Sequence, residues 1–302
     1  GTAMDMAKRA ERLIGQDDLY GALRAAAAGL TLAGADSLLP ALQNILPEAE
    51  RARLAQVDTG LLRAVIRRGA GLPAVPGAAA VRAHLVGADV APMFLPGIGI
   101  SPRLALLTQG QHPDMPAFSD RAFDAWFAAT GVRYGLGSYG EARSVYATDQ
   151  FADAASPERR TRHLGIDVFA PAGTPVHAPL AGRVTHVTYN ADPLDYGNTL
   201  ILEHDVGDLR FYSLYGHLSG SLPGLCRVGD TVQPGQLIAH LGDWHENGGW
   251  AAHIHFQVMT DMLEQHDGNF FGVGHDSLWD VWSEICIDPN LVLRLPQESF
   301  LL

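Results

Sequence analysis

The period of the hydrophobic pattern changes near Tyr134, and this change constrains the fold more than any other feature. In the first part, apolar residues recur every three or four positions, which is the spacing of one helix face. Such patterns cover residues 5–33, 38–45, 48–68, 78–85 and 119–130. Asp36-Ser37 precedes the second of them, and Ser119 is predicted to cap the last. The stretch 86–118 is rich in Gly and Pro, which is typical of an irregular connection.

In the second part, apolar and polar residues alternate over short segments separated by turn-forming residues, which indicates β-strands. The predicted strands are 183–189, 199–203, 210–215, 236–240 and 253–258, and a helical pattern returns only at 277–285. We therefore expect an α+β protein. Its helical N-terminal region (1–118) and a connecting helix and strand segment (119–159) precede an all-β domain with a C-terminal extension (160–302).

Composition excludes several classes of function. The formal net charge of −12 argues against a basic surface for DNA or RNA, so no nucleic-acid partner is expected. It also disfavours attraction to anionic polymers or to a membrane surface. No apolar run is long enough for a membrane span, and no signal peptide is visible. We expect a cytoplasmic protein, with a leader ahead of residue 1 as the open alternative. The oligomeric state is left open.

The two cysteines, Cys226 and Cys286, are too few for a disulfide framework and form no CxxC pair. Two free, mostly buried thiols are expected, although a single disulfide bridge is the alternative.

Histidines are the residues that point to chemistry, and the chain has 13 of them. His163 and Asp167 lie four positions apart, and His253 and His255 lie two apart in an apolar strand pattern. In extended backbone each pair projects to one side of a sheet. Two imidazoles and one carboxylate suit a catalytic zinc ion, because three protein ligands leave a fourth position for water or substrate. Alone, the spacing of His163 and Asp167 is weak evidence for a metal site, and His253 and His255 could also be a solvent-facing pair.

Taken together and in order, these motifs resemble the M23 family of zinc metallopeptidases, the LytM and lysostaphin type. The resemblance covers about residues 160–262, roughly a third of the chain. It rests on His163-Leu164-Gly165-Ile166-Asp167, Tyr215-Gly216-His217-Leu218 and His253-Ile254-His255-Phe256. Segments between them also match, namely 170–176, 181–184, 197–198 and 228–239.

The resemblance implies Zn²⁺ as cofactor, with His163, Asp167 and His255 as its ligands. It implies that His217 and His253 are the two catalytic histidines, and that an antiparallel sheet forms the floor of a groove walled by loops. Zinc would hold a water molecule and the substrate carbonyl. One of the two histidines would take the proton of the attacking water, and the other would stabilise the oxyanion or protonate the leaving amine. Their order is left open.

Five residues are candidates for substrate binding. Tyr196, Asn198, His245 and Asn247 lie where the family has groove walls, although a polar loop tip is the plain alternative for the last two. Arg143 follows a segment of glycines and tyrosines and could hold a substrate carboxylate, unless this segment is only a linker strand.

The expected function is zinc-dependent hydrolysis of a peptide or amide bond, with a peptide or small amide-containing substrate as the only partner. Acidity and the missing leader keep a second possibility open, a cytosolic zinc enzyme acting on a small amino-acid-like metabolite. An inactive M23-fold binding module is the third. The five filled positions disfavour that third possibility.

Overall fold

The computed structural model describes residues 2–108, 112–143 and 152–301. Part of the predicted connecting segment, residues 144–151, therefore lies outside the described residues. In the described ranges the helices are α1 (Thr2–Glu11), α2 (Leu19–Ala27), α3 (Leu32–Ile45), α4 (Glu48–Ala55), α5 (Thr59–Gly69), α6 (Ala78–Gly87), α7 (Phe123–Ala129), α8 (Leu222–Leu225), α9 (Trp279–Ile285) and α10 (Asn290–Leu293). None of these described helices is long and apolar enough to cross a membrane.

Helices form where the helical patterns predict them, although the pattern over 5–33 is divided into α1 and α2 by residues 12–18. Thr31 caps α3 by accepting a hydrogen bond from the Gly34 amide, so the helix begins several residues before the apolar pattern at 38–45. The predicted helix over 48–68 is two helices, because Asp58 caps α5 through the amides of Gly60 and Leu61. Helix α7 begins at Phe123 rather than after Ser119.

The strands are β1 (Arg103–Ala105), β2 (Tyr134–Gly137), β3 (Arg162–His163), β4 (Ile166–Phe169), β5 (Pro175–His177), β6 (Gly182–Asn190), β7 (Gly197–Val206), β8 (Leu209–Leu218), β9 (Thr231–Val232), β10 (Leu237–His240), β11 (His253–Met259), β12 (Val273–Gly274) and β13 (Cys286–Ile287). Among the described residues the main sheet has the order β1-β2-β4-β11-β8-β7-β6-β9, with β13 also paired to β11. All five predicted strands are present.

The main sheet is mixed, because a strand from before residue 118 joins it in parallel, whereas the strands of the predicted antiparallel domain pair antiparallel as expected. Strand β1 pairs in parallel with β2, with Arg103 opposite Tyr134. The chain between these strands contains α7, and a crossover of this kind is what a parallel pair requires. The other strand pairs of the main sheet are antiparallel.

The two faces of β11 have different environments. Ile254, Phe256 and Val258 are buried in the apolar core beneath the sheet. The residues that alternate with them, His253, His255 and Gln257, project to the opposite side because side chains alternate along a strand. This alternation gives the sheet a polar face, on which the candidate site lies.

The N-terminal helices share a core with the β-domain. Leu23 and Val65 belong to the same buried cluster as Trp282 and Ile285 of α9. At its edge Arg24 of α2 forms an ion pair with Asp280. Core packing therefore joins the predicted regions 1–118 and 160–302. Strand β1, at residues 103–105, likewise belongs to the predicted helical region but pairs in the main sheet. Cys226 and Cys286 are buried and free, as expected.

Candidate metal centre and active site

Strand pairing brings the three predicted metal ligands together. In the register of β4 and β11, Asp167 lies directly opposite His255. His163 lies at the end of β3, three residues before β4 begins. Ligand atoms from all three residues lie within 4.8 Å of one another, and all three side chains are buried. Gly165 permits this approach, since a Cβ there would lie 2.8 Å from His255 Nε2.

Each of the two ligand imidazoles is held through its other ring nitrogen. His163 Nδ1 lies 3.0 Å from the Ser138 carbonyl oxygen, which leaves Nε2 facing the centre. His255 Nε2 lies 2.8 Å from Gln257 Oε1, which leaves Nδ1 facing the centre. The amide of Gln257 in turn donates to the Phe271 carbonyl. Outer contacts of this kind fix the tautomer and the orientation of a metal-binding imidazole.

The two carboxylate oxygens of Asp167 have different contacts. Oδ2 accepts a hydrogen bond of 2.7 Å from Arg143 Nη1. Oδ1 is buried without a hydrogen bond among the described residues, 3.2 Å from His163 Nε2 and 3.4 Å from His255 Nδ1. A buried oxygen without a hydrogen bond is costly unless something else contacts it. This oxygen and the two nitrogens form the donor set that zinc prefers, so the residues fit a zinc ion.

The protonation states suit metal binding. Burial by itself raises the pKa of Asp167, but His163 and Arg143 outweigh this effect and hold it well below the ordinary value. Burial, reinforced by the charge of Arg143, lowers the pKa of His163. At neutral pH the centre therefore presents an ionised carboxylate and a neutral imidazole, which are the forms that bind metal.

The two predicted catalytic histidines lie beside this centre, with ring centroids 4.4 Å apart. His253 Nδ1 contacts the Ala251 carbonyl at 2.7 Å, and its Nε2 lies 3.9 Å from Asp167 Oδ1. His217 Nδ1 contacts the Asn247 carbonyl at 2.7 Å. Burial lowers the pKa of His253 to about 4 and places the pKa of His217 well below its ordinary value. Both imidazoles are therefore neutral near pH 7 and able to accept a proton at Nε2.

His217 has a backbone conformation that is rare for a residue with a side chain. Its φ of 67° lies in the left-handed region. Two backbone hydrogen bonds hold it there, from the His217 amide to the Tyr196 carbonyl and from the Gly242 amide to the His217 carbonyl. Strain that persists at such a position is common where a side chain must be aimed at a functional site.

The predicted wall residues have different environments. The Tyr196 ring lies 5.0 Å from the His255 ring and 5.6 Å from the His217 ring, at the edge of the centre. Asn198 donates to the Glu246 carbonyl and so ties β7 to the next loop. His245 is at the loop tip with a side chain that is 76% exposed. Their binding of substrate stays a prediction.

Asn247 is fully buried and its amide is used within its own loop. Nδ2 donates to the carbonyls of Gly242 and Trp250, and Oδ1 accepts from the amides of Gly249 and Trp250. These four bonds use the capacity of the side chain. Asn247 reaches the active site through its backbone carbonyl, which orients His217.

Arg143 holds a protein carboxylate where sequence analysis predicted a substrate carboxylate. Its side chain is only 3% exposed and forms ion pairs with Asp167 and with Glu141. Glu141 is itself held by the amide and hydroxyl of Thr108. Gly137 makes room for this arrangement, since a Cβ there would lie 2.5 Å from Arg143 Nη2. Arg143 therefore positions the carboxylate of Asp167, a candidate metal ligand.

A cavity of about 340 Å³ opens beside the centre, and His217, His255 and Tyr196 form one of its walls. Residues that sequence reasoning missed form the rest, notably Arg160, Trp250, Phe270 and Phe271. Gln257 was also missed, although its position two residues after His255 on the same strand face is a signal that could have found it.

Comparison with known proteins agrees with the geometry. The model of Peptidase family M23 matches residues 161–267. An uncharacterised metalloprotease of Haemophilus influenzae is 35% identical over 96 residues, which are 32% of this chain and 18% of that protein. The DD-carboxypeptidase/endopeptidase Mpg of Neisseria meningitidis is 31% identical over 96 residues, 32% of this chain and 20% of that protein.

Among solved structures, a zinc-containing peptidase from Vibrio cholerae is 32% identical, with 33% of this chain and 28% of that chain covered and a TM-score of 0.28. This chain thus spans far less than two thirds of the length of these relatives. The family match covers the segment that carries the five histidine and aspartate positions. Family match and site geometry together identify residues 161–267 as a domain of peptidase family M23.

Proposed function

We propose that this protein is a zinc-dependent peptidase that hydrolyses a peptide or amide bond in the cavity beside His163, Asp167 and His255. The observation that carries the proposal is the buried Oδ1 of Asp167, which has no hydrogen bond among the described residues and faces two imidazole nitrogens. A zinc ion bound there would polarise the substrate carbonyl and lower the pKa of a water molecule. Membership of the M23 family supports a peptidase in general terms.

The residues of the chain supply the proton transfers. Because His253 and His217 are neutral and hydrogen bonded at Nδ1, each presents an unprotonated Nε2 toward the site. One of them takes a proton from the attacking water as the bond to the carbonyl carbon forms. The imidazole that has taken this proton then gives it to the departing amine as the C–N bond breaks.

Tyr196 and Trp250 enclose the reacting group. The Tyr196 ring covers the edge of His255, and the Trp250 ring lies 5.7 Å from the His217 ring. Apolar rings at this position exclude water from the scissile bond and strengthen the electrostatic interactions around it. They also orient the substrate by contacts that do not take part in the chemistry.

The test is zinc-dependent turnover by the full chain. Purified protein is stripped with a chelator, reloaded with Zn²⁺, and assayed by mass spectrometry against pentaglycine, alanyl-D-alanine peptides and a panel of small amides. We expect cleavage that disappears on stripping and returns on reloading. If Zn²⁺ binds at one equivalent but none of these compounds is cleaved, the hydrolase proposal fails and an inactive binding module is favoured.

A further inference from the structure

The imidazole of His253 packs closely against two other rings. The Phe169 ring is stacked on it, with centroids 4.4 Å apart and planes inclined by 18°. The His217 ring also lies with its centroid 4.4 Å away. Phe169 and His253 are direct partners in the register of β4 and β11, so the pairing of these strands brings the two rings together. All three side chains are buried, and such packing leaves the imidazole of His253 little freedom to change rotamer.

Phe169 is held in turn by two aromatic residues from the chain that precedes the β-domain. The ring of Phe118 lies 4.6 Å from the Phe169 ring, and the ring of Phe123 lies 5.2 Å from it. Phe118 and Phe123 also contact each other edge to face, at 5.5 Å. The three rings belong to one buried cluster. Phe118 and Phe123 lie outside residues 161–267, so part of the support for His253 comes from chain that the family match does not cover.

Phe118 also fixes the hydrogen bond of His253. His253 Nδ1 contacts the Ala251 carbonyl at 2.7 Å, and the amide of Ala251 donates to the Phe118 carbonyl, also at 2.7 Å. Phe118 therefore acts on His253 by two routes, through the ring of Phe169 and through the backbone of Ala251. The stacked ring fixes the plane of the imidazole, and the hydrogen bond fixes which nitrogen is directed toward the metal centre.

We propose that Phe169 is a positioning residue of the active site, whose ring holds the imidazole of His253 in one orientation with Nε2 directed toward the metal centre. Phe118 completes this support through its contacts with Phe169 and Ala251. The inference rests on the proposed function, because His253 is one of the two histidines assigned to proton transfer. A positioning residue affects kcat as well as stability, since misplacing a catalytic group by about 1 Å can cost about 100-fold in rate.

The first test is Phe169→Leu, which keeps a large apolar side chain but removes the flat ring. We expect kcat to fall by about 10- to 100-fold on any peptide cleaved in the zinc assay, with KM changed by less than about twofold. Zinc should remain at one equivalent, because the three ligands are unaltered. Phe118→Leu should cause a smaller loss of kcat, since its backbone carbonyl still holds Ala251. An unchanged kcat in Phe169→Leu, or a loss confined to KM, would overturn the inference.

Phe211→Leu is the matched control for the loss of a buried stacked ring. Phe211 lies opposite His204 in the register of β7 and β8 and stacks on it, with centroids 4.7 Å apart and planes inclined by 26°. Its loss should lower the melting temperature about as much as Phe169→Leu does, because Phe211 is similarly buried. Its kcat should equal that of the unaltered protein, because His204 takes no part in the proposed reaction. An equal loss of kcat in the two variants would contradict a positioning role.

A spectroscopic measurement keeps the inference independent of turnover. The histidines of the chelator-treated full chain are labelled with ¹³C, and the NMR signal of the His253 ring is assigned with His253→Asn. We expect one narrow signal in the unaltered protein and in Phe211→Leu. In Phe169→Leu the signal should broaden or divide, because the imidazole then samples more than one rotamer.

The NMR result separates the positioning role from the reaction. One narrow His253 signal in Phe169→Leu, or broadening of equal extent in Phe211→Leu, would reject the inference. If no compound is hydrolysed yet the His253 signal broadens in Phe169→Leu alone, the proposed reaction is wrong and the positioning of His253 by Phe169 is supported.

Discussion

The floor of the active site and its walls are built by different means. On the floor, Asp167, His253 and His255 project from two neighbouring strands whose register places Asp167 opposite His255. On the walls, Arg160, Asn247 and Phe271 belong to loops whose positions depend on packing against other parts of the molecule. A single substitution on the floor should therefore abolish zinc binding or turnover, whereas a single substitution on the walls should reduce turnover only partly.

The largest effect is expected on the floor, from His255→Ala. Loss of one of three ligands should abolish stoichiometric zinc binding and reduce hydrolysis to the level of the stripped protein. His217→Ala, in contrast, should keep zinc and lower kcat by about 10²- to 10⁴-fold, since it removes only a proton-transfer group. Metal analysis and steady-state kinetics separate the two. Full zinc content and full turnover in both variants would contradict the site, and His177→Ala, on strand β5, is the control.

Arg143→Gln tests the support beneath the floor. It leaves the buried carboxylates of Asp167 and Glu141 without their shared cation, which should lower the free energy of unfolding by about 3–5 kcal/mol. Zinc affinity should weaken by about 10- to 100-fold, as is typical when an outer contact of a ligand is removed. Denaturant unfolding and a competitive chelator assay measure these changes. The exposed Arg183→Gln should alter neither, and unchanged zinc affinity in Arg143→Gln would argue against the supporting role.

His204 gives a reference outside both regions, because it has a similarly lowered pKa without being near the centre. Burial lowers the pKa of His204 to about 4, with Nδ1 on the Ala181 carbonyl and Nε2 on Ser213 Oγ. The unfolded chain binds this proton more readily, so stability should fall as pH drops from about 6.5 to 4. The loss amounts to about 3 kcal/mol. Urea unfolding at several pH values in this range measures the free energy of unfolding. In His204→Asn this free energy should fall less steeply as the pH drops, and an unchanged pH dependence would exclude His204 as the cause.

The smallest effects are expected on the walls. Asn247→Ala removes four hydrogen bonds from the loop that positions His217, so kcat should fall by about tenfold with zinc retained. His245→Ala, at the exposed tip of the same loop, should change stability by less than about 0.5 kcal/mol and turnover little. Steady-state kinetics of the two variants compare the contribution of the buried part of this loop to turnover with that of its exposed tip. A larger loss in His245→Ala than in Asn247→Ala would reverse the ranking and make the tip a substrate contact.

Features of the floor could be predicted from local sequence, whereas features of the walls could not. Strand alternation is a local property, so the even spacing in His253-Ile254-His255 predicts which side chains share a face. The resemblance to a known family assigned roles to the five site residues. Helical regions were likewise predictable from periodicity, whereas the helix starts at Thr31 and Asp58 were not predicted.

Tertiary structure alone decided the rest. Arg143 reaches Asp167 only because β2 and β4 pair and Gly137 leaves room, which no spacing along the chain reveals. Strand β1 joins the sheet in parallel from a Gly- and Pro-rich stretch, since the edge of β2 offers it backbone partners. Arg160 becomes part of the cavity through Phe271, more than a hundred positions away. The sequence by itself thus determined which side chains of β4 and β11 share the floor, because alternation along a strand is a local property. Packing between distant segments decided the walls.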